Sequence, residues 1–394
     1  MEFEEIKELS SKYLFQNYGR QEISFTGGEG CYLKGSDGRE YLDLVAGIGV
    51  NDLGYAHPRI VKAIQEQAKK LIHVSNLYYV EEQARLGEKI AEIAPGDLSR
   101  SLFVNSGAEA NEGALKLAVR YTGRSKVMSA LNGFHGRTAA ALGATGQKKY
   151  QDTFEALISN AYDYYEYGNP ESVKSLISKD TAAVIVEPIQ GEGGVRTASA
   201  EFFKTIRDEC SDKGALMIVD EVQTGLGRTG KWFGIENFGV VPDIITMAKA
   251  LGGGIPMGAV VSTDEISKVM TPGTHGTTFG GNPMAAAVAC EVIDTMKEER
   301  LVEHAKELGE QWRKQIGCVK SDAIKEIRGY GLMTGIEMEF PADAQAVQRH
   351  CMDNGVLVNV CHGNTVRLIP PLILEDTEAE LFNELLEDTL SLRN

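Results

Sequence analysis

The chain predicts an α/β fold: a mainly parallel central sheet with helices on both faces, plus a smaller α+β domain. Three observations carry this. Between residues 100 and 262, short apolar runs alternate with helical stretches, as in βα units laid on a parallel sheet. Three of those runs end in ionisable side chains: Ala182–Val186 in Glu187, Ala215–Val219 in Asp220-Glu221, and Ile244–Ala248 in Lys249. The last hundred residues change character, with charge-rich helical stretches at 298–316 and 376–392 around short runs at Gly335–Met338 and Thr365–Ile369. The expected division is an N-terminal segment at 1–54 that joins the small domain, a large domain at 55–285, and a C-terminal small domain at 286–394.

Taken in order, Gly30–Leu33, the turn Gly35-Ser36-Asp37-Gly38 and Tyr41–Leu44 read as a short antiparallel pair. From Pro58, the positions Ile60, Val61, Ile64, Ala68 and Leu71 follow helical spacing. Leu102–Val104 and Ala259–Val261 add strands to the three runs above, and a long helix is expected to begin near Met284.

Composition narrows the function. A chain of 394 residues with 43% hydrophobic content, 24% charged content and 43 glycines fits a loop-rich α/β enzyme. A net charge of −16 argues against a nucleic acid or an anionic membrane as partner. No apolar run of about 18 residues offers a membrane span. The start Met1-Glu2-Phe3-Glu4-Glu5 is acidic where a secretory signal would be basic, so a cytoplasmic location is expected. Six scattered cysteines with no C-x-x-C pair predict free thiols, and seven histidines show no metal-ligand spacing.

Lys249 is the leading candidate for a covalent centre. A lysine that ends a buried strand beside Gly252-Gly253-Gly254 is carried into an interior where its charge is costly. Asn105-Ser106-Gly107-Ala108-Glu109 lies between a strand and a helix. Ser106 and Glu109 fit a capping box that needs no ligand, whereas Gly107 and Ala108 are small enough to admit an anion to the helix N-terminus. Beside an active-site lysine, phosphate is the better reading. Asp220, if buried, needs a cationic partner: a salt bridge, a helix start or a protonated pyridine nitrogen would serve. Gly225–Gly230 matches G-x-G-x-x-G, but five polar-rich residues separate it from the strand and no helix start follows, so a dinucleotide role is rejected. Phe134 sits in a glycine-flanked loop where an aromatic can stack on a planar ring. Arg137 in the same loop suits a carboxylate clamp or a plain surface position.

These residues together resemble the class III aminotransferases, pyridoxal 5′-phosphate (PLP) enzymes of fold type I. The likeness runs from Gly30–Leu33 to Arg367–Leu372 and is most specific at Ile218–Gly225 and Ala248–Gly254. Within the class it is greatest to members that act on N-acetylornithine, through Val45–Asn51, Phe134–Thr138 and Ala144–Tyr150. The resemblance implies that Lys249 binds the cofactor covalently and shuttles protons, and that Asp220 pairs with the ring nitrogen. It places Gln223 at the ring hydroxyl, Phe134 and Val222 on the ring faces, and Ser106, Gly107, Ala108 and Glu221 in the cofactor site. Thr278 would reach the phosphate of a neighbouring subunit, with Thr277 near the substrate, so a homodimer with sites at the subunit interface is implied. Arg137 would bind the distal carboxylate of either substrate, N-acetylornithine or 2-oxoglutarate. Arg367 would bind the α-carboxylate of glutamate, and Glu192 would neutralise Arg367 when an ω-amine is bound. Succinylornithine, 4-aminobutyrate and lysine-pathway donors remain alternatives within the class, with ornithine disfavoured by His135 where its enzymes tend to have tryptophan; an aminomutase or decarboxylase on the same fold is a weaker one, and a non-catalytic binding protein is the alternative of a different class. One departure is Tyr55, where histidine is commoner in the family.

Overall fold

The computed structural model describes residues 1–391; the last position of the predicted 376–392 helix lies outside the described residues. The central sheet has seven strands, ordered Arg100–Val104, Gly258–Ser262, Ile244–Met247, Leu216–Asp220, Thr181–Val186, Lys126–Ala130 and Tyr162–Tyr165. The strands from Ile244–Met247 to Tyr162–Tyr165 are parallel neighbours, while Gly258–Ser262 runs antiparallel to both of its neighbours. The mainly parallel sheet predicted from the alternation is therefore present. Strand direction at Gly258–Ser262 was not readable, because an apolar run has no polarity.

Every residue of Thr181–Val186, Leu216–Asp220 and Ile244–Met247 is buried, as expected where helices cover both faces of a sheet. Alternate side chains feed separate cores. Ala183, Ile185 and Ile218 pack with Ala110, Ala114 and Leu117 of the helix Gly107–Thr122. Val184, Val186, Met217 and Val219 pack with Phe202, Phe203 and Ile206 of the helix Ala200–Lys213. This period-two division fixes the register, since a slip of one residue would exchange the two faces.

A second sheet joins Phe25–Glu29, Tyr32–Gly35 and Glu40–Asp43 in antiparallel order, and Val356–Leu357 adds to it in parallel. The N-terminal segment is thus hydrogen-bonded to chain more than 300 positions later. Phe25–Glu29 was not foreseen, because Thr26-Gly27-Gly28 carries no apolar alternation. A third sheet, antiparallel, is ordered Ile324–Tyr330, Met333–Met338, Thr365–Leu368, Asn359–Cys361. The long helix runs from Pro283 to Glu298, with Asn282 accepting the Ala285 N–H at 2.9 Å and proline at its first position. The cysteines are free.

The glycine-rich stretch Gly225–Gly230 forms turns and starts no helix, so it gives no dinucleotide cradle. Its Arg228 is instead a buried tie. It pairs with the buried Asp52 of the N-terminal segment and donates to the carbonyls of Leu332 at 2.9 Å and Pro370 at 2.6 Å. Removing one partner of such a pair leaves an uncompensated buried charge. Asp52→Ala should therefore lower stability by about 3–5 kcal/mol, measured as the urea midpoint of the cofactor-free protein. An unchanged midpoint would mean the tie carries no load.

Candidate active site

The C-terminal ends of three adjacent parallel strands meet in a cavity of about 670 Å³. Thr181–Val186 delivers Glu187, Leu216–Asp220 delivers its last residue, and Ile244–Met247 leads to Lys249. Asp220, Lys249, Glu187, Phe134, Arg137, Val222, Gln223 and Glu192 all line this cavity, with Ser106, Gly107 and Ala108 at one side.

Lys249 leaves the strand in a left-handed conformation, φ 47°, uncommon for a residue with a Cβ. Its amine has no hydrogen bond or ion pair among the described residues. Burial, reinforced by the positive charge of Arg367, pushes its pKa down to about 8.

Asp220 is buried and held on three sides. Its Oδ2 accepts from Asn111 Nδ2 at 2.8 Å and lies 2.7 Å from His135 Nδ1, and its Oδ1 accepts the Val222 N–H at 3.0 Å. Burial opposes charge on His135, but its bond to Asp220 more than offsets this and raises its pKa. The other ring nitrogen, Nε2, is buried without a partner among the described residues. Glu187 accepts the N–H groups of Phe134 at 2.8 Å and Gly191 at 3.2 Å, and burial pushes its carboxyl up to about 7.

Ser106 starts the helix Gly107–Thr122, its hydroxyl accepting the Glu109 N–H at 3.1 Å. The return half of the expected capping box is displaced by one residue: Glu109 takes the N–H of Asn105 at 2.6 Å, not that of Ser106. The first two helix amides, Gly107 and Ala108, have no partner among the described residues. A Cβ on Gly107 would come within 2.8 Å of Val222 Cγ1, so only glycine leaves the approach open. The capping and anion readings are compatible: Ser106 satisfies the third amide and leaves two for a ligand.

Phe134 stands edge-on to Tyr150, centroids 5.6 Å apart, and Arg137 lies over Tyr150 at 4.1 Å. Arg137 is exposed and has no carboxylate partner among the described residues. At the other end, Arg367 Nη1 donates to Glu192 Oε1 at 2.6 Å and to Gln223 Oε1 at 3.3 Å. Burial would raise the Glu192 carboxyl, but Arg367 outweighs it and holds the pKa below the ordinary value.

Four expected residues do not line this cavity: Arg367, which meets it only through its bonds to Glu192 and Gln223, and Glu221, Thr277 and Thr278. Glu221 points away from it: its carboxylate accepts the N–H groups of Gly234 and Ile235, each at 2.9 Å, and the Thr224 hydroxyl. Adjacent residues at a strand end face opposite sides, so Asp220 and Glu221 could not share one site. Thr277 accepts from Asn105 Nδ2 at 2.9 Å, and Thr278 is exposed; neither lines the cavity of its own chain. Conversely, Asn111, His135 and Tyr150 were given no role in the site. Asn111 was findable, lying one helical turn after Gly107; His135 and Tyr150 become neighbours of the site only through loop packing.

The cavity therefore combines an unpartnered amine, a fully hydrogen-bonded carboxylate and two free helix amides. That set suits a planar aldehyde carrying a basic ring nitrogen and a phosphate. The profile of the family Aminotransferase class-III matches residues 15–390. Acetylornithine aminotransferase of Methanosarcina mazei is 44% identical over 385 residues, 98% of this chain and 96% of that protein. The enzyme of that name from Methanopyrus kandleri is 45% identical over 374 residues, 95% of this chain and 96% of that one. Among solved structures, ornithine aminotransferase from Toxoplasma gondii ME49 superposes with a TM-score of 0.95 at 32% identity, covering 100% of this chain and 96% of the other. Acetylornithine aminotransferase from Elizabethkingia anophelis gives 0.89 at 33% identity, with 99% of both chains covered. The chain belongs to the class III aminotransferases. Its cofactor is PLP.

Only the unprotonated amine of Lys249 can attack an aldehyde. With a pKa of about 8, the reactive fraction falls about tenfold per pH unit below that value. Capture of PLP by the cofactor-free protein, followed by absorbance, should rise with this slope toward about pH 8 and then level off. A rise continuing to the ordinary lysine value would show that Lys249 titrates in open solvent.

Proposed function

We propose that this aminotransferase moves the δ-amino group of N2-acetyl-L-ornithine to 2-oxoglutarate, giving N-acetyl-L-glutamate 5-semialdehyde and L-glutamate in a ping-pong cycle of arginine biosynthesis in the cytoplasm. The observation that carries this reading is the Arg367–Glu192 pair at 2.6 Å. Glutamate brings a carboxylate to the reacting end of the pocket, whereas an ω-amine brings only methylenes. A buried arginine beside methylenes is costly unless a carboxylate neutralises it, and Glu192 supplies one that can withdraw. Arg137, free of any acid, is available at the far end for the carboxylate that both substrates carry. The relatives named acetylornithine aminotransferase at 44–45% identity support the choice of donor.

PLP, when bound, supplies the aldehyde that accepts the amino group and a ring that takes up the electrons of the broken C–H bond. Lys249 Nζ holds the cofactor and carries the proton from one carbon to the other. Asp220, fixed by Asn111 and His135, keeps a positive charge on the ring nitrogen. Phe134 and Val222 would take the ring faces, Gln223 the ring hydroxyl, and Ser106 with the Gly107 and Ala108 amides the phosphate. Free ornithine as donor is the second reading, favoured by the likeness to the Toxoplasma structure; a screen of ω-amino donors against the bound chromophore separates the two.

Single-turnover absorbance with each substrate alone tests the arginine roles. Arg367→Ala should cripple the 2-oxoglutarate half-reaction by about 100-fold, the scale of a bidentate charge-assisted contact, and affect the N-acetylornithine half-reaction far less. Arg137→Ala should damage both. Equal losses for Arg367→Ala would sink the exchange between Glu192 and substrate.

A homodimer completes the site in this reading. Leu77 and Tyr79 are almost fully exposed, at 83% and 108%, and Phe279 is 60% exposed. Asn76 ties this segment to the Thr277 and Gly280 carbonyls at 3.2 and 3.0 Å, so one apolar surface surrounds Thr278. Such a surface is suited to covering by a second copy, which would bring Thr278 to the neighbour's phosphate. Mixing Lys249→Ala with Thr278→Ala protomers should yield heterodimers with one intact site and measurable activity. Verified heterodimers with no activity would assign Thr278 to its own subunit.

A further inference from the structure

We propose that Arg328 is a positioning residue for Glu192: its guanidinium clamps the backbone of the Gly191–Val195 turn and so decides how well Glu192 masks Arg367. The proposal rests on the reading above, in which Glu192 neutralises Arg367 during one half-reaction.

The sheet register places the two arginines in one row. Arg328 is paired with Gly335, Gly335 with Arg367, and Arg367 with Asn359. Directly opposed residues of antiparallel strands project to the same face. Two guanidinium groups therefore rise from one face, two strand spacings or about 10 Å apart, with a glycine between them. Val195 fills that gap: a Cβ on Gly335 would lie 2.7 Å from Val195 Cβ.

Each arginine grips the same turn at a different point. Arg367 holds the Glu192 side chain. Arg328 holds the backbone, Nη2 donating to the Gly194 carbonyl at 2.6 Å and Nε to those of Gly194 at 3.2 Å and Val195 at 3.1 Å. Arg328 is itself fixed from behind by Glu326 at 2.7 Å and Glu337 at 2.6 Å. Glu337 also pairs with Lys325 at 2.9 Å and with Arg196, the residue after the turn, at 3.5 Å. Burial would raise the Glu337 carboxyl, but Lys325 and Arg328 bring it down to about 2, so this anchor stays charged throughout the working pH range.

On its other side the turn is closed by paired backbone bonds between Gln190 and Arg196, at 3.0 and 3.2 Å, and by Glu187 accepting the Gly191 N–H. Val195 is fully buried with φ 52°, a conformation that β-branched residues avoid. Such a conformation persists only where the surroundings over-determine it, and the Arg328 clamp with the Gly335 notch provides those surroundings. With the backbone held, Glu192 can release Arg367 by side-chain rotation alone, and its return orders few bonds. Loosening the backbone leaves Arg367 unmasked more of the time. That favours a substrate with a carboxylate at the reacting end and penalises one with methylenes there.

The test compares second-order rates of the PLP-loaded enzyme with glutamate and with N-acetylornithine, each in single turnover. Arg328→Lys keeps a cation for Glu326 and Glu337 but loses the fork on the two carbonyls. The glutamate/N-acetylornithine ratio should rise about tenfold, the effect of one charge-assisted hydrogen bond. Glu192→Gln should shift the ratio the same way, and the double variant should add little to Glu192→Gln. Val195→Gly relieves the positive φ, which offsets part of the cost of the buried cavity it leaves over Gly335, and should move the ratio in the same direction by loosening the turn; should Arg328→Lys fail to fold, this variant tests the held turn in its place. If Glu192→Gln shifts the ratio while the folded Arg328→Lys and Val195→Gly slow both donors equally, Arg328 is only structural and the proposal falls. If Glu192→Gln leaves the ratio unchanged, the masking reading itself fails and takes this proposal with it.

Discussion

A lysine amine kept inside the fold, with no hydrogen bond or ion pair among the described residues, is the constraint on which the site depends. Burial favours the neutral form of Lys249, and Glu192, Asp220 and Glu187 are all close enough to oppose that effect. Each of these acids pulls Lys249 toward its charged form. None is free. Glu192 is taken by Arg367, Asp220 by Asn111, His135 and the Val222 N–H, and Glu187 by the N–H groups of Phe134 and Gly191. Occupying the acids is how the pocket keeps a nucleophile available near neutral pH.

The same hydrogen bonds hold the site together mechanically. Glu187 ends a core strand and joins the Phe134 loop to the Gly191 turn. Asp220 ends the next strand and joins the helix Gly107–Thr122, through Asn111, to the same loop through His135. Parallel strands present such residues side by side because their C-terminal ends lie along one edge. The small antiparallel sheet adds Arg367 from the opposite side, and Arg228 with Asp52 fastens that region to the N-terminal segment. Groups that must act together are therefore positioned by rigid elements from distant parts of the chain, with short loops between them.

Much of the fold was legible because burial leaves a one-dimensional trace. The runs ending at Glu187, Asp220 and Lys249 are uninterrupted because both sheet faces are covered, and Pro58 and Asn282-Pro283 mark helix starts by their own backbone chemistry. Gly225–Gly230 matched a dinucleotide pattern only in spelling: it folds as turns, and only the short 3-10 helix Gly234–Phe238 follows it. Glu221 was misplaced, because its neighbour Asp220 faces the cavity and pleating turns adjacent side chains apart. The strand Phe25–Glu29 and the antiparallel direction of Gly258–Ser262 left no trace, since neither pairing direction nor a glycine-rich edge strand alters apolar periodicity.

By itself the sequence determined the residues that local rules constrain: the covered strands, the capped helices, and the acids and lysine at strand ends. Only the tertiary structure decided which of these are partners. Nothing in the chain's periodicity pairs Arg367 with Glu192, 175 positions apart, or Asn111 with Asp220, 109 apart. Nor does it place Arg328, Gly335 and Arg367 in one row, which depends on strand register. Local propensities act over a few residues through backbone sterics and hydrogen bonding. Charge pairing and close packing act through space, and they take effect only once the fold has brought those residues together.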